Sequence, residues 1–282
     1  MLHKVFLSVG AMKAGTTWLY ERLRRHSEIH FSMEKELHYF AEKYGVGHPL
    51  SLERRKRRAA AGLAELFKNG AAGTDIESAV RWYVDFVGGP VDDRWFEHLI
   101  GVEEFADRYV ADFSNLTCHL RKEDWADLLR TTDTLKVIYI LRDPIERVWS
   151  HYKYHLEFTG HPMALRPAER ILPFKRMLEK DWFIRNSYYS TVIGTLTAAL
   201  PSDDYLICYF EDMITQPARF LAKVEEFLGI GSIEHDPQAL FEKENASTEA
   251  IMPPGWSRHA AAVLHDEIAW LKEHGLWHPA WK

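Results

Sequence analysis

Cysteine is nearly absent from this chain. Only Cys118 and Cys208 occur in 282 residues. Each sits in an apolar stretch, at no spacing that suits a disulfide framework or a zinc site, so a reducing compartment is the simpler expectation. Long apolar runs are missing too. No stretch approaches the roughly 20 residues that a membrane-spanning helix needs, and the run 5–9 is too short for a signal-peptide core and leads straight into a polar, glycine-bearing loop. A cytoplasmic protein without stable membrane insertion is the expectation. Positive net charge is lacking as well: 35 Lys and Arg against 41 Asp and Glu give a formal charge of −6. That argues against a general nucleic-acid binder, and it means that any anionic ligand must be held by local cations and backbone dipoles. The 15 histidines are scattered. His151 and His155 share a helix face at a spacing that suits zinc, but no third ligand stands at a motif distance, so no metal site is expected.

What is present is the material of a core. Apolar residues make up 46% of the chain and aromatics 13%, with ten tryptophans, which excludes a disordered tail or a collagen-like repeat. Residues 4–9 read as a strand, 10–15 as a glycine loop and 16–26 as a helix. Residues 29–33 read as extended, and 34–40 mix charged and aromatic residues without a single period. A basic run, Arg54-Arg55-Lys56-Arg57-Arg58, opens a helix over 51–68 and reads as a solvated face. A helix over 75–86 carries Ile76, Val80, Val84 and Val87 at helical steps. Residues 108–113 alternate like a strand and 122–130 like a helix. The nearly continuous apolar run 135–141 predicts a central parallel strand covered on both faces. Pro144 then opens a helix, with further helices over 173–180, 183–200 and 217–228, the last stopped by Gly229, and a strand over 205–210. This alternation predicts one α/β domain, residues 1–282, with a central parallel sheet flanked by helices.

Two stretches carry phosphate chemistry. Gly10 and Gly15-Thr16-Thr17 have the glycine spacing of G-x-x-x-x-G-K-[ST], but Thr16 stands where that motif needs lysine, and the lysine lies inside the loop at Lys13. The loop still suits an anion, because glycines admit close backbone approach and amides at a helix N-terminus favour negative charge. The lysine and hydroxyl pair that serves a nucleoside triphosphate and its magnesium is out of register. Arg142 follows the central strand, and Ser150 lies two helical turns further on, so a guanidinium and a hydroxyl can converge on a second compact anion. Both stretches fall at the carboxyl edge of the sheet, where open α/β folds bind ligands.

At these residues the chain resembles the sulfotransferases that use 3′-phosphoadenosine 5′-phosphosulfate (PAPS), nearer in pattern to the carbohydrate branch than to the small-phenol branch. The resemblance runs to about residue 230. It implies a P-loop-like sulfotransferase fold, PAPS as donor and PAP as product, no metal requirement, and an acceptor hydroxyl on a carbohydrate or small molecule. It also implies that Lys13, Ala14, Gly15, Thr16 and Thr17, with Trp18 following, form the 5′-phosphosulfate loop, and that Arg142 and Ser150 form the 3′-phosphate site. Lys35-Glu36-Leu37-His38-Tyr39-Phe40 is similar to a stretch of heparan sulfate 3-O-sulfotransferases in which the glutamate is the catalytic base. Carried over, Glu36 takes the acceptor proton, with His38 as the next candidate. A surface Lys35–Glu36 pair beside a packed His38 is the other reading. The chain departs from that branch in lacking a late cysteine pair and a lysine-rich glycine loop. Its own segment 245–259 offers Arg258 as a late phosphate contact. Arg81-Trp82-Tyr83 and Asp112-Phe113-Ser114 are open between acceptor cleft and ordinary core. Two other functions remain to be distinguished: a P-loop kinase or nucleotide hydrolase, and an anionic-polymer binding module built on the basic run.

Overall fold

The computed structural model describes residues 2–70, 73–160, 167–242, 244 and 250–281. In chain order the first elements are β1 (Leu2–Ser8), α1 (Thr16–Leu23), β2 (Ile29–Phe31), α2 (Tyr39–Lys43), α3 (Leu52–Lys68), α4 (Thr74–Val87), α5 (Asp93–Leu99), β3 (Tyr109–Asp112) and α6 (Lys122–Arg130). The rest are β4 (Thr132–Leu141), α7 (Pro144–Phe158), α8 (Pro167–Leu178), α9 (Asp181–Ile184), α10 (Tyr189–Ala199), β5 (Tyr205–Tyr209), α11 (Phe210–Thr215), α12 (Pro217–Leu228), α13 (Pro254–Val263) and α14 (His265–Glu273). The strands form one parallel sheet, flanked by helices, in the order β2-β3-β1-β4-β5. From β1 the chain winds toward β2, and from β4 toward β5, so the order reverses at the β1/β4 pair. Ligands of such sheets bind outside the carboxyl ends of the strands at this point. The residues gather into two compact units: the chain up to Val9 with Leu23–Val137, and Gly10–Arg22 with Ile138–Lys282.

In the first unit, Val5, Phe6 and Leu7 of β1 lie beside Val110, Ala111 and Asp112 of β3. The aromatic rings pack around this sheet and under α4 and α5. Phe6 meets Phe113 edge-on at 5.3 Å, and Tyr39 stacks on Phe96 at 4.3 Å. Two expectations are corrected here. The buried stripe of α4 is Ala79, Tyr83 and Phe86, while Val80 and Val84 are exposed, because the aromatic residues supply more apolar area to bury than the valines do. The basic run of α3 is likewise only partly a solvated face. Arg55 is buried and donates through Nη1 to the carbonyls of Phe86 and Gly88 at the C-terminal end of α4, where unsatisfied carbonyls and the helix dipole favour a cation. Trp82 stacks on Phe86 and Tyr83 is buried, so that pair is core.

In the second unit the core lies on one face of α7, where Val148, Trp149, Tyr152 and Leu156 meet Phe174, Phe183, Trp256 and Leu264. Pro144 opens α7 and Asp143 caps it, accepting from the amides of Ile145 and Glu146. The helix expected over 183–200 is broken by a turn at Arg185–Ser187, and the helix expected from Pro173 begins earlier and carries that proline inside it. Gly229, at φ 65°, ends α12 as expected. Both cysteines are free and buried, and burial pushes the Cys208 thiol up to about 12.

Candidate active site

The loop between β1 and α1 belongs to the second unit. Ala11 donates to the carbonyl of Ile140 and Ile140 donates to that of Gly10, both at 2.8 Å, which ties the loop to the end of β4. Lys13 has φ 69° and Gly15 φ 87°. Gly15 also has no room for a side chain, since a Cβ there would stand 2.1 Å from the Met213 methyl carbon and 3.0 Å from the Phe210 ring. Ala14 is fully buried, and Thr16, at the first turn of α1, nearly so. The Lys13 ammonium lies 4.5 Å from the centre of the Tyr154 ring. Trp18 is buried, edge-on to Phe220, and its indole donates to the carbonyl of Leu240.

Arg142 stands at the end of β4. Its Nη1 donates to the carbonyl of Lys13 at 2.9 Å, and its guanidinium lies 4.5 Å from the centre of the Phe210 ring. Burial lowers its pKa, but a guanidinium starts so high that it stays charged. One of its five N–H donors is spent on Lys13 among the described residues, and the rest suit an anion. The capped amides of α7 do not compete for that role, because Asp143 already accepts from them. Helix α11 supports the arrangement at three points: Phe210 lies under Arg142, Glu211 accepts from the Asp143 amide at 3.1 Å, and Met213 lies against Gly15. Ser150 is buried on α7, and no described hydrogen bond joins it to Arg142. Arg258 is exposed on α13 and forms no ion pair among the described residues.

Glu36 and His38 belong to the first unit. Glu36 contacts His38 Nε2 at 3.3 Å and Lys35 Nζ at 3.4 Å, with 31% of its side chain exposed. Burial alone would raise its pKa, but the hydrogen bond to His38 and the positive charge of Lys35 outweigh it and hold the carboxyl below its ordinary value. The group is therefore a carboxylate at neutral pH, the state that accepts a proton. The backbone beneath it is clamped. Leu37 N donates to Asp112 Oδ1 at 2.9 Å, His38 N donates to Ser114 Oγ at 2.7 Å, and Ser114 Oγ donates to Asp112 Oδ1 at 2.6 Å. Phe113 N donates in turn to the carbonyl of Lys35 at 3.1 Å. Arg58 donates to the carbonyl of Glu36 and to the Glu34 carboxylate. His38 itself is left-handed, with φ 64°. Asp112 Oδ2 has no hydrogen-bond partner among the described residues, and burial raises the pKa of this carboxyl despite the Ser114 bond and the nearby His38. Asp112 and Ser114 thus act as pegs for the Glu36 stretch.

The family model described as "Sulfotransferase domain" matches residues 3–246. The chain belongs to the sulfotransferase domain family. Carbohydrate sulfotransferase 15 of Mus musculus is 24% identical over 273 residues, covering 86% of this chain and 46% of that protein; the Homo sapiens protein is 23% identical over the same length. The chain spans about half the length of these curated relatives. Among solved structures, a sulfotransferase from Alicyclobacillus acidocaldarius superposes with TM-score 0.60 at 18% identity, covering 96% of this chain and 95% of that one. Mouse sulfotransferase SULT7A1 complexed with PAP gives 0.52 at 15% identity, covering 96% and 89%. These structures share the fold of this sulfotransferase-family chain.

Within that fold Arg147 carries no sequence motif, and Asp112, open between acceptor cleft and core in the sequence, is buried. Arg147 is fully buried, a cation on the inner stripe of α7 with Val148, His151 and Tyr152, and that position was its signal. Burial first, then the charges of Arg147, His155 and Lys13, push the His151 pKa down to about 3. Its ring stacks on Phe183, so it is a neutral packing residue. No group of three or more His, Cys, Asp or Glu is arranged to hold a metal among the described residues, and no described helix is long and apolar enough to cross a membrane.

Proposed function

We propose that this chain, acting through residues 1–282 as one domain, transfers a sulfuryl group from PAPS to a hydroxyl of a carbohydrate or small-molecule acceptor. The observation that carries the reading is the join of Lys13 and Arg142: a left-handed glycine loop at the end of β1 bonded to an arginine at the end of β4, whose remaining donors suit phosphate. The family uses PAPS, the mouse neighbour was crystallised with PAP, and the curated relatives are named carbohydrate sulfotransferases.

Sulfuryl transfer resembles phosphoryl transfer, in which positioning and charge stabilisation supply most of the catalysis. The acceptor oxygen forms a bond to sulfur as the bond from sulfur to the 5′-phosphate oxygen breaks, and the acceptor proton passes to Glu36. Lys13 meets the charge that grows on the leaving oxygen. The amides of Gly15, Thr16 and Thr17 and the two threonine hydroxyls hold the phosphosulfate oxygens, with Trp18 beside the nucleotide, while the Ala14 amide closes the loop on itself by donating to the Ala11 carbonyl at 3.1 Å. Arg142 and Ser150 hold the 3′-phosphate, and Arg258 is the candidate for a late contact. His38 holds the Glu36 carboxylate in place.

Calorimetry with adenosine 3′,5′-bisphosphate, against ATP with magnesium, tests the donor assignment. The bisphosphate binds without metal, and Arg142→Ala weakens it by roughly 10- to 150-fold, the loss of about 1.5–3 kcal/mol expected for a charge-assisted hydrogen bond. Equal or better binding of ATP with magnesium overturns the reading in favour of a nucleotide kinase or hydrolase.

A further inference from the structure

Lys13 is held from both sides. The conformation of a residue is set by the two peptide planes that flank its Cα, and both planes at Lys13 end in a carbonyl bonded to an arginine. Arg142 Nη1 donates to the carbonyl of Lys13 at 2.9 Å, which belongs to the plane that follows. Arg147 Nη1 reaches the carbonyl of Met12 at 3.4 Å, which belongs to the plane that precedes. A left-handed conformation is unfavourable for a residue with a Cβ, so a lysine at φ 69° needs such restraint.

Arg147 is itself fixed. It has no exposed surface, and its Nε donates to Ser187 Oγ at 2.8 Å, in the turn that breaks the expected helix. The rigid guanidinium fork lets one edge take the Ser187 hydroxyl while another nitrogen reaches the loop, which a lysine ammonium cannot reproduce. Burying such a cation is costly before its bonds are counted, and an apolar side chain would suit the packed stripe of α7 better if packing were the only demand.

We propose that Arg147 is a positioning residue for the donor-binding loop: it turns the Met12 carbonyl inward, as Arg142 turns that of Lys13, so that the amides from Gly15 onward face the anion, the Ala14 amide being bonded to the Ala11 carbonyl. The inference rests on the donor reading above for its ligand, but not for its geometry. Its test therefore has a ligand-free part and a ligand part.

In the ligand-free protein, Arg147→Met accelerates hydrogen exchange of the amides of residues 13–16 by about tenfold or more, while the melting temperature stays within a few degrees of the wild type. With adenosine 3′,5′-bisphosphate as probe, the same variant binds about 10- to 100-fold more weakly. Arg147→Lys, which keeps the charge and loses the fork, falls between, and Ser187→Ala lowers affinity about 2- to 5-fold. Unchanged loop exchange in Arg147→Met overturns the proposal, as does wild-type affinity in that variant. Should Arg147→Met fail to fold, Ser187→Ala decides, and loop exchange and affinity both at wild-type level in it overturn the proposal. Wild-type protein that ignores the bisphosphate overturns the donor reading instead, and the exchange measurement still judges Arg147.

Discussion

Among the described residues two that are not glycine take the left-handed conformation, Lys13 at φ 69° and His38 at φ 64°, and their surroundings are opposite in polarity. Around Lys13, in the second unit, the neighbouring groups are cations and they take carbonyls: Arg142 from Lys13 itself and Arg147 from Met12. Around His38, in the first unit, they are a carboxylate and a hydroxyl, and they take amides: Asp112 from Leu37 and Ser114 from His38. The same unfavourable backbone shape is thus flanked by two donors in one place and by two acceptors in the other, where Arg58 adds a donor to the Glu36 carbonyl. With its Met12 and Lys13 carbonyls occupied and the Ala11 and Ala14 amides bonded within the fold, the loop turns toward the proposed anion from Gly15 onward. A stretch whose amides are occupied presents a carboxylate side chain, Glu36, beside His38 and Lys35. The polarity of each clamp matches the charge of the chemistry proposed above it.

Variants that act on one clamp and not the other probe this contrast most sharply. Glu36→Gln carries the largest effect. A positioned base contributes about 10²–10⁴-fold, so transfer of labelled sulfate from PAPS to a panel of hydroxyl acceptors falls by that order, while bisphosphate affinity by calorimetry stays at the wild-type value. Because His38 and Lys35 hold the Glu36 pKa below its ordinary value, the wild-type rate loses its base only below the usual carboxylate range. An acid limb from this group near neutrality would refute the arrangement.

Asp112→Ala comes next. It strips two donors, the Leu37 amide and the Ser114 hydroxyl, of a buried acceptor, which costs about 1–3 kcal/mol. The expected readout is a fall of several degrees in melting temperature with a loss of turnover. Asp112→Asn, which keeps one acceptor oxygen, loses less, and the bisphosphate affinity of both variants is unchanged.

The smallest effect at neutral pH belongs to His151. Its pKa in the fold is about 3 against roughly 6.5 in the unfolded chain. Below pH 6.5 the unfolded chain takes a proton that the fold refuses, so stability falls as pH drops from there toward 3. The share lost between pH 7 and pH 5 is about 2 kcal/mol. Urea melts of His151→Phe, which keeps the contact with Phe183, should lack that share and match the wild type more closely at pH 7.

Much of the fold could be read from local pattern. Helices Lys122–Arg130 and Pro217–Leu228 were expected with the bounds observed, because an amphipathic period and a stop such as Gly229 lie within the segment itself. The α4 stripe misled, since its valines and its aromatics both recur at helical steps and only tertiary packing chooses between them. The break at Arg185–Ser187 was hidden for a related reason: Ser187 is bonded to an arginine 40 residues earlier. The site divides along the same line. Lys13, Gly15 and Arg142 stood out because loop spacing and charge mark them, and Glu36 because its stretch resembles that of the 3-O-sulfotransferases. Asp112 and Arg147 act on backbone groups 75 and 135 residues away, and no window of sequence contains both ends of such a bond.

Helix α11 has a further consequence for how this protein tolerates change. Its six residues present Phe210 to Arg142, Glu211 to the Asp143 amide and Met213 to Gly15. An inserted residue rotates everything after it by about 100° around the helix axis. One insertion between Phe210 and Met213 would therefore swing the methionine away from the glycine while leaving the phenylalanine on the arginine, uncoupling the loop after β1 from the strand end after β4. Substitution can be absorbed here side chain by side chain, but the spacing from Phe210 to Met213 behaves as a fixed gauge length, the unit by which the two halves of the proposed donor site are kept in step.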